Sequence, residues 1–186
     1  MMRGFDIVIS LIGIIILAPV MAILWLAVRM DSAGPAIYWS TRVGRYGAPF
    51  SMPKFRTMHV DTPNVATDEL KSPSRYITRT GKFLRRTSLD ELPQFWSVLR
   101  GHMAIVGPRP ALPSQEGLLA MRKDLGVDVL RPGITGWAQV NGRDELSNED
   151  KARFDAWYLA NRSLRTDLMI ILSTLGAVAS TRGVRH

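Results

Sequence analysis

From Ile7 to Val28 the chain runs twenty-two residues without a charge, and fourteen of them are Leu, Ile or Val. As an α-helix this stretch measures about 33 Å, the hydrocarbon thickness of a bilayer. Its aliphatic residues alone favour insertion by roughly 4–8 kcal/mol on a central-position scale. The run is too long for a signal-peptide core, and no small-residue cleavage site follows it. A buried helix of a soluble protein is the plain alternative, but the unbroken apolar length points to a membrane segment. Pro19 lies inside it. A proline deletes one backbone hydrogen bond and crowds the preceding turn, so the reading includes a kink near Ile15 to Ala18. The segment then either crosses with a bend or dips in and returns as a re-entrant helix.

After the break at Asp31-Ser32-Ala33-Gly34-Pro35 the pattern changes period. Ile37 to Val43 reads as a short strand, Gly44 to Gly47 as a turn, and Phe50 to Met58 as the returning strand of a hairpin. Residues 61–74 read as a loop. Gly81 to Arg85 and Pro93 to Leu99 read as short helices, the second stopped by Gly101. Pro113 to Leu125 has helical periodicity, with Pro113 placed at its start. Asn148 to Asn161 reads as a helix with Asn148 as N-cap and Phe154, Trp157 and Tyr158 on one face. Leu168 to Ala179 is apolar but only about 18 Å long, which suits an interfacial or packed helix better than a second span. Gly107-Pro108-Arg109-Pro110 is a rigid loop, and Arg131 to Arg143 an irregular but ordered one. The expected class is α+β and mostly helical: a Pro-kinked re-entrant membrane helix over 1–30, then one functional unit over 31–186 with a small hairpin and amphipathic interfacial helices.

Charge narrows the partners. A net charge of +8 and a pI near 10.4 call for an acidic one, whether nucleic acid, anionic lipid or a phosphorylated substrate. Absence of cysteine excludes disulfides and thiolate metal sites, and His59, His102 and His186 lack metal-ligand spacing. Arg3 precedes the apolar run, whereas Arg29, Arg42 and Arg45 follow it; the larger excess C-terminally places the globular part on the cytoplasmic side.

Candidate chemistry concentrates at Thr87-Ser88-Leu89-Asp90-Glu91-Leu92-Pro93. Six cations and no acid lie between Lys71 and Arg86, and Asp90 and Glu91 end that basic approach. The plain alternative is a capping box, since Ser88-Leu89-Asp90-Glu91 has the right spacing. Pro93 argues against that register, because it would fall where an amide donor is needed. With Asp90 as N-cap, Pro93 falls at the third helical position and costs nothing, and a phosphate would be favoured at the same helix end. Period-2 alternation puts Lys54 and Arg56 on one face. Arg109, fixed between two prolines, suits a phosphate clamp. Neither a P-loop nor a Gly-x-Gly-x-x-Gly turn is present, and no Ser-His-Asp set is supported.

Lys54-Phe55-Arg56-Thr57-Met58, Thr80-Gly81-Lys82-Phe83-Leu84-Arg85, Ser88 to Gln94, Val106-Gly107-Pro108-Arg109-Pro110 and Arg131 to Arg143 together resemble one family. It is the monotopic phosphoglycosyl transferases of bacterial glycoconjugate synthesis, also called bacterial sugar transferases. The resemblance runs from the N-terminal apolar helix to Asp167. It implies transfer of a phosphosugar from a UDP-sugar to polyprenyl (undecaprenyl) phosphate, releasing UMP, at the cytoplasmic face of the bacterial inner membrane. It further implies Asp90 as nucleophile forming a covalent phosphosugar intermediate, and Glu91 as metal ligand or proton-handling partner. Mg2+ would bridge the diphosphate and the Asp90-Glu91 dyad. Lys54, Arg85 and Arg109 are the candidates for offsetting phosphate charge, and Arg131, Thr135, Gln139 and Arg143 those for reading uridine. Two departures stand out: Ala18-Pro19 replaces a common Ser-Pro at the membrane bend, and Ala104 replaces a frequent serine. Many relatives carry extra N-terminal spans, so this chain looks like a minimal catalytic unit. A homo-oligomer is compatible with the pattern and not specified by it. The rivals are a membrane-anchored nucleic-acid module and a non-catalytic lipid-surface scaffold. The first would need exposed aromatics interleaved with the cations, and Phe83 alone stands between Lys82 and Asp90. The resemblance therefore implies no nucleic-acid partner.

Overall fold

The structure is a computed structural model that describes residues 2–63, 73–142 and 145–180. A single helix, α1 (Met2–Asp31), runs uninterrupted through Pro19. Two stripes divide it. Val8, Leu11, Ile12, Ile15, Ile16, Val20, Ile23 and Leu26 are exposed, whereas Asp6, Ser10, Leu24 and Val28 are buried. These sets recur at three- and four-residue spacing, so one apolar stripe faces out and the opposite one packs on the rest of the chain.

That packing extends along the whole helix. Near its start, Arg3 Nη2 donates to Leu99 O at 3.0 Å and Ile105 N donates to Asp6 Oδ1 at 3.0 Å. Halfway along, a Cβ at Gly13 would stand 3.1 Å from the Phe95 ring, so the missing side chain lets the ring lie against the helix. At its end, Leu24 and Val28 form a cluster with Ala36, Phe55 and Leu84. Burial of side chains of this size contributes about 1.5–3 kcal/mol each.

Strands β1 (Ile37–Val43) and β2 (Pro49–Phe55) pair antiparallel, with Tyr38 opposite Lys54 and Arg42 opposite Phe50. The hairpin matches the alternation in the sequence, but β2 stops at Phe55, before Met58. Arg56 leaves the sheet to donate to Ala33 O and Ser32 O at 2.6 and 2.8 Å. Helix α2 (Arg79–Thr87) is capped twice: Thr78 Oγ1 accepts from Gly81 N, and the carboxylate of Asp31 at the end of α1 accepts from Thr80 N at 2.8 Å.

Helix α3 (Gln94–Leu99) follows, then β3 (Ala104–Val106), α4 (Glu116–Asp124), β4 (Gly133–Thr135) and α5 (Trp137–Val140). The chain then forms α6 (Asn148–Ala160) and α7 (Leu164–Ser180). Strands β3 and β4 pair in parallel, a feature that the loop reading of 131–143 did not contain. The main core lies around them: Val98, Met103, Ile105, Val106, Val127, Leu130, Tyr158 and Ile170, joined by Ile9 of α1.

Three local expectations are corrected. Helix α4 begins at Glu116, because Pro113 and Ser114 lie in a turn that ends where Leu112 N donates to Gln115 Oε1. Ser147 caps α6 in place of Asn148, its hydroxyl accepting from Asp150 N at 3.0 Å. On α6 only Tyr158 of the three predicted aromatics is fully buried; Trp157 is partly exposed and stacks on Trp137 with centroids 4.6 Å apart. The predicted loop at 61–74 falls largely outside the described residues.

Candidate active site

Ser88 ends α2 in the left-handed conformation, with φ 57° and ψ 16°, and its N–H returns to Arg85 O and Leu84 O. A non-glycine residue held there stores about 1–3 kcal/mol of strain. The reversal throws the next three residues, Leu89–Glu91, into a single 3-10 turn ahead of α3. Neither Ser88 nor Asp90 acts as a side-chain cap, which corrects both capping registers. The reason is electrostatic. Glu91 is drawn away from the Ser88 backbone by Lys54, whose Nζ donates to its Oε1 at 2.8 Å.

Strand β2 delivers Lys54 on the face it shares with Met52 and, across the ladder, with Tyr38, Ser40 and Arg42. Lys54 Nζ also lies 3.9 Å from Asp90 Oδ2, and Arg109 Nη2 lies 3.4 Å from Glu91 Oε1. Arg85 projects from the last turn of α2. Its Nε donates to Thr57 Oγ1 at 2.9 Å, and the Asp90 charge acts on it. Gly81 makes that placement feasible: a Cβ there would collide with the Thr57 carbonyl, so α2 comes in close on bare backbone.

Arg109 is presented by a backbone-on-backbone junction. Gly107 N donates to Thr135 O at 2.8 Å, and Gly133 N donates to Pro108 O at 2.9 Å. Side chains at Gly107, Gly133 or Gly136 would each strike main-chain atoms of the facing segment. Glycines in the two separate motifs therefore serve one close approach.

The result is a recess lined by Arg42, Met52, Lys54, Glu91, Gln94, Arg109, Pro110, Gly133 and Ile134. Five of the predicted site residues, Lys54, Arg85, Asp90, Glu91 and Arg109, come together in or beside it. Arg131, Thr135 and Gln139 have their side chains engaged elsewhere. Arg131 Nε donates to Gly101 O at 2.8 Å, Thr135 Oγ1 shares a hydrogen bond with Thr174 Oγ1, and Gln139 Nε2 donates to Ile134 O at 3.2 Å. Their segment reaches the recess through Gly133 and Ile134. Arg143 lies outside the described residues.

Two polar lining residues were not among the predicted site residues. Arg42 donates from Nε to Ser40 Oγ at 3.0 Å and from Nη1 to Pro110 O at 3.2 Å. Its signal was available, because strand alternation from Ser40 sends it to the Lys54 face. Gln94, one turn beyond Glu91, is 2% exposed; it closes the Ser88 to Gln94 motif, but only the α3 geometry turns its side chain to the recess.

Burial and charge split the two carboxyls. Asp90 is pushed up to about 6, chiefly by burial, with Lys54 opposing and the Glu91 charge reinforcing. Burial disfavours the Glu91 charge as well, but Lys54 and Arg109 outweigh it and hold that carboxyl down at about 2. Burial, helped by neighbouring Arg109, lowers Arg42 to about 10, still protonated at neutral pH. Among the described residues no three His, Cys, Asp or Glu side chains converge. One or two carboxylates, with water and phosphate oxygens, are the donor set that an ion such as Mg2+ takes, and Asp90 and Glu91 are the carboxylates at the recess.

The profile of the bacterial sugar transferases matches residues 1–181. The UDP-galactose-lipid carrier transferase of Erwinia amylovora is 40% identical over 197 residues, which is 97% of this chain and 41% of that protein. The UDP-glucose:undecaprenyl-phosphate glucose-1-phosphate transferase of Escherichia coli K12 is 40% identical over 93% of this chain and 39% of its own length. The exopolysaccharide production protein ExoY of Sinorhizobium fredii is 35% identical over 97% of this chain and 86% of its own. The chain thus spans about two fifths of the first two relatives and most of the third. Matched along nearly its whole length, with the motif residues gathered at one recess, the chain belongs to the bacterial sugar transferase family.

Proposed function

We propose that this chain transfers a phosphosugar from a UDP-sugar to polyprenyl (undecaprenyl) phosphate, giving polyprenyl-diphosphate-sugar and UMP. The observation that carries the reading is the charge balance of the recess. Two adjacent carboxylates, one easily protonated and one firmly ionised, are surrounded by Lys54, Arg42, Arg85 and Arg109. Positive charge in excess suits a diphosphate. The names of the relatives in Erwinia amylovora and Escherichia coli supply the donor and acceptor classes.

In this reading an Asp90 carboxylate oxygen attacks the sugar-linked phosphorus. The bond from that phosphorus to the bridging oxygen breaks, and UMP leaves with the electron pair. An oxygen of the lipid phosphate then attacks the same phosphorus and releases the Asp90 carboxylate. Each step brings like charges together, about 4 kcal/mol for two unit charges at 4 Å and an effective dielectric of 20. Lys54, Arg85 and Arg109 offset that repulsion. Asp90 and Glu91 would hold Mg2+, which when bound supplies further positive charge at the diphosphate. The nucleoside would be read by the 131–143 segment, through the wall formed by Gly133 and Ile134.

The exposed stripe of α1 would seat the chain in the cytoplasmic leaflet of the bacterial inner membrane, bringing the recess near the headgroups. Because α1 packs along the domain from Arg3 to Asp31, a perpendicular crossing would drag Phe95, Leu99 and Ile105 into the bilayer. This supports a monotopic seating over a full span; a re-entrant bend would fall at Ala18-Pro19, which the structure carries within one helix.

The test is intact-protein mass after incubation with Mg2+ and a panel of UDP-sugars, without acceptor. The expected outcome is a gain of one phosphosugar, absent from Asp90→Asn, which also has no turnover. UMP release that needs polyprenyl phosphate, with no adduct at any time, would overturn the covalent route. No reaction with any donor in either arm would overturn the transferase reading.

A further inference from the structure

Proline at 108 and 110 leaves the 107–111 segment short of amide donors, so its carbonyls do the anchoring. Each carbonyl from 108 to 111 is taken by a different donor. Gly133 N reaches Pro108 O at 2.9 Å, Arg122 Nη1 reaches Arg109 O at 2.9 Å, Arg42 Nη1 reaches Pro110 O at 3.2 Å, and Val43 N reaches Ala111 O at 3.0 Å. Arg122 differs from the other side-chain donor in that it does not line the recess. It sits in the last turn of α4, buried, with Nε and Nη2 on Asp155 Oδ2 at 2.9 and 2.7 Å. Asp155, on α6, is itself 1% exposed.

A buried ion pair is a poor stabiliser, since apolar residues of similar volume often serve the fold as well or better. Here the pair has a third connection, the peptide carbonyl of Arg109. The Arg109 side chain is 47% exposed and reaches Glu91 Oε1 at 3.4 Å, so the placing of its backbone sets where the guanidinium meets that carboxylate.

We propose that Arg122, braced by Asp155, is a positioning residue for the transfer reaction: it fixes the Arg109 peptide so that the guanidinium stays over Glu91 and the incoming diphosphate. The inference rests on the reading of Arg109 as a phosphate ligand given above. It assigns to α4 and α6, which contribute no side chain to the recess lining, a part in the geometry of the site.

The experiment is a cycle in kcat/KM with a UDP-sugar and polyprenyl phosphate. Arg122→Met combined with Asp155→Leu removes the ion pair and the carbonyl donor and substitutes apolar side chains, so the fold is expected to hold; melting followed by circular dichroism checks this. The pair of substitutions is expected to lower kcat/KM about 10- to 100-fold in the wild-type background. In an Arg109→Ala background it is expected to add less than about twofold, because the effect passes through Arg109. If the apolar pair does not fold, Arg122→Lys provides the same comparison, keeping a cation opposite Asp155 without the planar fork that spans both partners. Equal fractional losses in both backgrounds, or no loss in the wild-type background while Arg109→Ala is costly, would overturn the inference. No loss from Arg109→Ala alone would refute Arg109 as a phosphate ligand and take the inference with it.

Discussion

Two clusters in this molecule use the same groups, cations against carboxylates, to opposite ends. Between α4 and α6 a single Arg122 meets a single Asp155 at 2.7 Å, with 9% and 2% of the two side chains exposed. At the recess two carboxylates meet Lys54 and Arg109 at 2.8, 3.4 and 3.9 Å, and Arg42 and Arg85 add charge without bonding to either carboxylate. The first cluster closes its charge and leaves nothing for a ligand. The second carries more cation than anion and stays partly exposed, a balance that suits an arriving anion. On the proposed reading, matching of charge, rather than the residue types present, separates an internal brace from a reactive site.

The brace should therefore fail hard when one partner is removed. Asp155→Asn leaves the buried Arg122 without a counter-charge, at an expected cost of about 3–5 kcal/mol. For a chain of this length that lowers the apparent Tm by roughly 6–20 °C at a fixed scan rate. A change within 2 °C of wild type would mean that the pair is as dispensable as a surface ion pair, and the contrast would collapse.

The reactive cluster should fail in rate instead. Arg109→Ala is expected to lower kcat/KM by about 10²–10³-fold, the range for losing one charge-stabilising donor, while the Tm moves little because its side chain is half-exposed. A large Tm loss with unchanged kcat/KM would reverse the assignments of the two clusters.

Much of this site was legible from residue order because its parts sit at the ends of locally encoded elements. Alternation over 37–43 and 49–55 places Lys54, and the basic approach to Asp90 and Glu91 places Arg85 within one turn of the dyad. Arg109 stood out because prolines flank it. What was not legible depends on pairing across distance. Strands β3 and β4 are three residues each and some 27 residues apart in sequence, too short to show a period. Without that pairing the glycines of the two motifs look like loop punctuation rather than one junction, and Arg131 and Thr135 look like ligands while their side chains are held by Gly101 O and Thr174 Oγ1. Ser88 shows the other limit: the capping-box spacing is present, but Lys54 competes for Glu91 and wins.

Within the dyad the comparison sharpens to neighbouring carboxyls. Asp90 is raised from 3.8 to about 6, so its charge opposes folding above pH 6, and that penalty disappears as the pH falls below 4. Glu91 is lowered from 4.5 to about 2, so its contribution is full above 4.5 and lost as the pH falls towards 2. At pH 7 Asp90→Asn should thus raise stability by about 1–3 kcal/mol, and Glu91→Gln should lower it by a similar amount. Thermal melts of the two variants side by side decide it; shifts of the same sign would contradict the split.

The smallest expected effect is the most specific. A nucleophilic Asp90 must be ionised in the free enzyme, so kcat/KM for the donor should be flat above about pH 6.5. Below 6 it should fall about tenfold per pH unit, as carboxylate is lost. Its neighbours then predict how that limb moves. Lys54 favours the Asp90 charge, so Lys54→Met should shift the limb to higher pH; Glu91 disfavours it, so Glu91→Gln should shift the limb to lower pH. Both variants lose rate, but the position of the limb is independent of its height. Two limbs moving apart would identify Asp90 as the titrating group through its own surroundings. Two limbs fixed at the wild-type position would assign the titration to another group and remove the electrostatic basis for placing the attacking carboxylate there.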